Sequence, residues 1–161
     1  MAKNKLIKLL IVAGLVIVAD QITKMLVLFY LPLYQSVAVI PGFFSLTHIH
    51  NPGGAFGFLA GQSAEIRKAI FLVVSTLAIG LILWFYKKTP PTHPLLATAF
   101  AMIFGGAIGN LIDRLRMGKV VDFLDVYIRT LHWPAFNIAD SAISIGIGIF
   151  VLHLLFKKMP E

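Results

Sequence analysis

The sequence predicts an all-α membrane protein, four transmembrane helices carrying a small β-sheet and loop subdomain on one side. Three observations predict it. Of 161 residues, 58% are hydrophobic and only 13% charged, with a mean hydropathy of +0.88, whereas about a quarter of a soluble domain is charged. Four apolar runs are each long enough for a hydrocarbon core of roughly 30 Å, which takes about 20 helical residues. Nearly every ionisable or amide side chain that is not a terminal lysine stands at one set of ends of those runs.

The first run extends from about residue 6 to 31, interrupted by Asp20-Gln21-Ile22-Thr23-Lys24. It exceeds the short core of a signal peptide, and no small-residue cleavage site follows, so it is expected to remain as a span. Residues 32–65 form the first long connection. Within it Val37-Ala-Val-Ile40, a Pro41-Gly42 turn signal and the partly alternating Phe43–His50 stretch predict a hairpin or short sheet. Phe44, Leu46, His48 and His50 are expected on one side of that strand. The second run covers about 66–86 and stops at Lys87-Lys88, and the third covers about 94–112 and stops at Asp113-Arg114. Residues 113–137 are the other long connection, with Val120–Ile128 as strand or interfacial segment. The fourth run covers about 138–156 and stops at Lys157-Lys158. Non-helical backbone in both connections must lie at the surface or under protein, because lipid offers it no hydrogen bonds. Residues 1–161 are expected to form a single membrane-embedded domain, with Gly53-Gly54 and Gly61-Gln62-Ser63 as hinges.

An even number of spans puts both termini on one side. That side carries Lys3, Lys5, Lys8, Lys87, Lys88, Lys157 and Lys158, while the other carries Lys24, Arg67, Lys68, Arg114, Arg116, Lys119 and Arg129. By count alone the positive-inside signal is weak. The two sides differ in character, since the terminal side has bare lysine pairs and the other mixes its cations with acids. Cytoplasmic termini and an extracytoplasmic sheet are the orientation this suggests. The net charge of +7 reflects lysines at the ends of apolar runs, a pattern suited to anionic lipid headgroups and not to nucleic acid. With no cysteine in the chain, a disulfide framework, a thiolate nucleophile and a Cys-type zinc site are excluded.

The outer ends carry the candidate chemistry. Asp20 and Lys24 are four apart, the acid first, and so share a helix face. Lys24 could simply snorkel to the interface. Asp20 is too short for that, and a charge at the centre of a bilayer costs at least roughly 2.5–3.5 kcal/mol, so a partnered role is expected of it. Asn51-Pro-Gly-Gly-Ala-Phe56 offers an amide and glycines that permit positive φ or close approach. Leading into Gly105–Arg114, Ala101, Gly105 and Gly109 make a small-residue stripe for helix packing. Asn110, Asp113 and Arg114, at i, i+3 and i+4, gather an amide, a carboxylate and a guanidinium. Asp122 sits in an apolar stretch, Asp140 starts the fourth run where a carboxylate is also a good cap, and Asp125 could be an interfacial acid with no role.

Asp20-x-x-x-Lys24, Asn51-x-Gly53-x-x-Phe56, Gly105-Gly-x-x-Gly-Asn-x-x-Asp-Arg114, Val120-Val-Asp-Phe123 and Phe136-Asn-x-Ala-Asp140 resemble, in order, the five motif blocks of the signal peptidase II family. The resemblance spans the chain from first helix to last. It implies a catalytic aspartate pair at Asp122 and Asp140, supported by Asp20, Lys24, Asn51, Gly53, Asn110, Asp113, Arg114, Phe136, Asn137 and Ala139. It also implies cleavage of bacterial prolipoproteins just before a diacylglyceryl-modified cysteine, with no metal and no cofactor. A monomer among membrane lipid in the inner membrane is expected, with cytoplasmic termini and the active site at the extracytoplasmic face. Two neighbouring aspartates sharing one proton would activate water and protonate the scissile group.

Readings from other classes fit less well. A metal-dependent phosphotransferase on Asp113, Asp122 and Asp125 would suit Mg²⁺, but a basic phosphate-holding loop between them is thin. A small transporter would bury polar groups near the midplane, where these helices have almost none. A serine or histidine hydrolase would need Ser45 or Ser63 beside His48, His50, His93 or His153, and the last two lie near the opposite side.

Overall fold

The computed structural model describes residues 3–53 and 62–156. Gly54, Phe56, Gly61 and the Lys157-Lys158 pair therefore lie outside the described residues. The element order is α1 (Lys3–Tyr30), β1 (Ser36–Ile40), β2 (Phe44–Asn51), α2 (Ala64–Lys88), α3 (Pro94–Met117), β3 (Val120–Ile128), β4 (Leu131–His132) and α4 (Ile138–Phe156). All four helices are long and apolar enough to cross a membrane. Each covers one of the four apolar runs.

Helix α3 is the centre of the bundle and packs on the other three. Small residues allow this. A Cβ at Gly105 would meet the α1 backbone at Ala13, one at Gly106 the α4 backbone at Ala139, and one at Gly109 the Asp20 carboxylate. In lipid, such close approach replaces the hydrophobic drive that is missing between apolar helices. The expected stripe is thus present, with Gly106 added on a second face. Leu10, Leu15, Leu77, Leu95 and Leu155 remain exposed on the outside of the bundle, as a lipid-facing surface requires.

Helix ends are closed by specific groups. Pro94 occupies the first turn of α3, where its missing N–H is no loss. Gly118, at φ 70°, ends the same helix in the left-handed region. The helix runs five residues beyond the expected boundary at Ile112, so Asp113 and Arg114 are helical. At the terminal side Lys5 Nζ donates to the carbonyls of Lys87 (2.9 Å) and Thr89 (2.6 Å). Lysine beside the last carbonyls of a helix also favours its dipole. Lys5 is therefore a tie between α1 and α2, beyond the headgroup anchor expected of the terminal lysines.

The four antiparallel strands follow the order β1-β2-β3-β4. Pro41-Gly42 forms the β1–β2 turn, with Gly42 at φ 79°. Val120–Ile128, left open between strand and interfacial segment, is a strand. The expected alternation of Phe44, Leu46, His48 and His50 is corrected: the β2–β3 register shifts between Leu46 and Ile49. A bulge re-aims side chains and raises local twist. Val121 and Phe123 of β3 pack with Val27, Leu31 and Ile138, seating the sheet on the ends of α1 and α4. His48 Nδ1 lies 2.7 Å from the Leu31 carbonyl, and its Nε2 lies 3.0 Å from His50 Nε2. The carbonyl fixes Nδ1–H as donor, so His48 Nε2 accepts from His50. Ser45 instead bonds Tyr127, and Ser63 caps α2. Neither of the two serines considered for a hydrolase is thus held by a histidine.

Candidate active site

Five elements meet where the sheet rests on the bundle. Lys24 of α1 is 2% exposed, so the snorkelling alternative is corrected. Its Nζ donates to Asp20 Oδ2 (2.9 Å), Asp113 Oδ2 (2.8 Å) and Asn110 Oδ1 (3.0 Å). An ammonium has three donors, and all three are used. The two carboxylates then reach outward. Asp20 Oδ1 accepts from the Ala139 N–H (2.9 Å), in the first turn of α4, and Asp113 Oδ2 from the Val121 N–H (3.2 Å), at the start of β3. One buried cation thereby ties α1 and α3 to the two segments that carry Asp140 and Asp122.

Three asparagines form the next layer, and each has its amide orientation set. Asn110 Oδ1 is taken by Lys24, so its Nδ2 donates to Asp140 Oδ1 at 2.8 Å. Asn51 Oδ1 accepts from the Gly53 N–H at 2.9 Å, so its Nδ2 donates to Asp122 Oδ2 at 3.0 Å. Asn137 Oδ1 accepts from the Asp140 N–H at 2.9 Å, so its Nδ2 donates to Asp122 Oδ1 at 2.7 Å. Its own backbone N–H donates to Asp140 Oδ2 at 3.3 Å. Residues 137 and 140 thus cap one another at the start of α4. The capping role considered for Asp140 and its place in the site are one arrangement.

Burial holds Asp122 well above the usual carboxylate range, at about 6; the Asn51 bond opposes this and the neighbouring Asp140 charge adds to it. Asn51, Asp122, Phe136, Asp140 and Ser141 line one open cavity of about 590 Å³. Phe136 positions the wall: its carbonyl accepts from the N–H groups of Phe123 (2.9 Å) and Leu124 (2.8 Å).

Arg114 makes no hydrogen bond to the Asn110 side-chain amide or the Asp113 carboxylate, but its charge is felt by Asp140, Asp113 and Asp122. Its Nη1 donates to the Asn110 carbonyl (3.2 Å), and the guanidinium lies 5.3 Å from the centroid of Phe71. The same ring fills the space beside Gly53, whose φ of 118° and missing Cβ are both required there. Phe71 was not anticipated, and nothing in its sequence neighbourhood marks it. Gln21 was also missed: its Nε2 lies within 3.2 Å of Asp20 Oδ2, the Gly109 carbonyl and Asp113 Oδ1. Its signal was available, a third polar residue inside the first apolar run. Asp125 pairs with His132 at 2.9 Å and stands apart from this network.

Two carboxylates opening on one cavity and bridged by Asn137 can share a proton and pass it to and from a bound water. The carboxylates needed by a metal reading do not converge, since Asp113 is held by Lys24 and Asp125 by His132. No group of three His, Asp or Glu side chains gathers for an ion among the described residues.

Comparison with known proteins gives a consistent result. A family model described as signal peptidase (SPase) II matches residues 12–156. The lipoprotein signal peptidase of Desulforapulum autotrophicum is 55% identical over 161 residues, 100% of this chain and 99% of that protein. That of Syntrophus aciditrophicus is 49% identical over 159 residues, 99% of each. Two solved structures of a bacterial membrane enzyme superpose with a TM-score of 0.82 each, at 32% and 30% identity. They cover 95% and 93% of this chain, and 93% and 94% of theirs.

Proposed function

The chain belongs to the signal peptidase II family and is a multi-pass membrane peptidase that removes signal peptides from prolipoproteins; on that premise we propose that Asp122 and Asp140 are its catalytic pair. The observation that carries this is Asn137, which donates to Asp122 through its side chain and to Asp140 through its backbone while both carboxylates line one cavity. Two carboxylates so placed do not both ionise cheaply, and they titrate as a pair. The ionised member takes a proton from the attacking water as its oxygen bonds to the scissile carbonyl carbon. The protonated member donates to the carbonyl oxygen, giving a tetrahedral diol; as the C–N bond breaks, the proton gained from water goes to the leaving amine and a diol hydroxyl returns a proton to the other aspartate.

Asn51, Asn110, Asn137 and the Asp20–Lys24–Asp113 cluster, with Gln21, hold the pair in place. Arg114, with one hydrogen bond among the described residues, has donors left for a substrate backbone carbonyl. Gly53 lets the turn after Asn51 pack against the Phe71 ring. The chain acts as a single domain and a monomer at the extracytoplasmic face of the inner membrane, with its termini in the cytoplasm. Cleavage falls just before a diacylglyceryl-modified cysteine whose acyl chains lie against the exposed apolar faces.

The test is cleavage of a diacylglyceryl-modified precursor by purified enzyme in detergent, read by mass. Asp122→Asn and Asp140→Asn are each expected to lose about a thousandfold or more in rate, with EDTA indifferent. Cleavage by both variants near the wild-type rate would rule out this pair. Inhibition of the wild type by EDTA would instead require a metal.

A further inference from the structure

The outer-side cations that the site does not use gather in one place. Lys24 and Arg114 belong to the site, and Arg129 lies in the β3–β4 turn. The other four, Arg67, Lys68, Arg116 and Lys119, line one open cleft of about 520 Å³ together with Pro52, Gly118 and a single acid, Glu65. Lys68, Arg116 and Lys119 form no ion pair among the described residues. The charge is felt nearby: burial and then Lys119 hold the His50 imidazole below its usual range.

Interfacial anchoring accounts for one or two cations at a helix end. It does not account for four converging on one cleft, on the side where positive charge is disfavoured in the proposed orientation. Next to the cleft, the outer turns of α2 expose Ile66, Ile70, Val73 and Val74. A cationic cleft beside an apolar helix face matches the two ends of a phospholipid. Pro52 lines the cleft between Asn51 and Gly53, the turn that orients the amide on Asp122.

We propose that this cleft binds the phosphate headgroup of an anionic phospholipid of the outer leaflet, its acyl chains running along α2, and that the bound headgroup steadies the Asn51–Gly53 turn. The inference rests on the orientation given above. Its test has a readout independent of cleavage. The enzyme is placed in nanodiscs of phosphatidylcholine, with or without phosphatidylglycerol as a minor component. Retained lipid is then counted by native mass spectrometry.

Wild type is expected to retain phosphatidylglycerol over phosphatidylcholine by about tenfold or more, a preference of at least about 1.4 kcal/mol, because the cleft's cations favour an anionic headgroup. The triple variant Lys68→Gln/Arg116→Gln/Lys119→Gln loses that preference. Wild type also cleaves faster with phosphatidylglycerol present, whereas the triple variant matches it in phosphatidylcholine alone and gains nothing. Equal retention of the two lipids by wild type overturns the site. Displacement of the retained lipid by soluble inorganic phosphate reassigns the cleft to a dissolved anion and overturns the lipid assignment. Retention without any gain in cleavage overturns the link to the turn. A wild type that retains phosphatidylglycerol and cuts no precursor supports the lipid site and refutes the peptidase mechanism instead.

Discussion

At the scale of single residues, the site works by using up oxygen atoms. Each of Asn51, Asn110 and Asn137 has its amide oxygen engaged by an N–H or an ammonium, which turns its NH₂ toward an aspartate. An N–H donor favours the charged form of a carboxylate. Removing the donor of Asn51 by Asn51→Ala therefore moves Asp122 further above about 6, and the pH profile of kcat/KM shifts to higher pH. The expected shift is up to about one unit, and an unmoved or acid-shifted profile contradicts the role. Lys24→Met leaves Asp20 and Asp113 buried without their cation. Breaking a buried pair from one side costs about 3–5 kcal/mol, so thermal unfolding in detergent should show a large loss of stability as well as activity. The sequence marks Asp20 through the cost of charge in lipid and Lys24 as the cation four residues on along the same face; Gln21 is marked through the smaller cost of an unpaired amide. It has no way to mark Phe71, an ordinary aromatic on an apolar helix until Gly53 and Arg114 are brought to its ring.

At the scale of elements, α3 is both the packing centre and the carrier of the network. Gly105 and Gly106 set its distance from α1 and α4, and Gly109 leaves room for the Asp20 carboxylate. A methyl at Gly109 would stand 2.7 Å from Asp20 Oδ2. Gly109→Ala should displace that carboxylate from Lys24 and from the Ala139 N–H, and overpacking of this kind costs about 1–3 kcal/mol. Cleavage should drop together with the melting temperature; wild-type values for both would mean that the helices shift apart freely. Helix existence was legible because apolar runs of this length have few other structures in lipid. The end of α3 was less legible, because the charges at Asp113 and Arg114 read as an exit from the membrane when they are covered by α1, β3 and the Phe71 ring.

At the scale of the whole molecule, the polar network lies at one end of a bundle whose outside is apolar. The substrate's acyl chains would hold its scissile bond at that level, turning an encounter in the membrane plane into a positioned approach. An unlipidated precursor is therefore expected to be cut at least about a hundredfold more slowly at equal concentration, which time courses read by mass would measure. Equal rates for the two precursors would mean that the peptide alone is recognised. The small sheet contributes to the same placement. It bears Asn51 and Asp122 on adjacent strands and is seated on α1 and α4 through Val121, Phe123 and Ile138.

The sequence by itself determined the four spans, the class of the protein and the polar residues at one end, because lipid forbids unpaired backbone and penalises lone charges. Those constraints act on one segment at a time, so they are visible in one segment at a time. Only the tertiary structure decided which groups meet. It placed Lys24 inside where it could have reached the interface, brought the Arg114 guanidinium to the Phe71 ring, and set which way three amides face. Each of those outcomes depends on a partner fifteen or more residues away along the chain, and hydrogen-bond satisfaction in a buried network is a property of the assembled set.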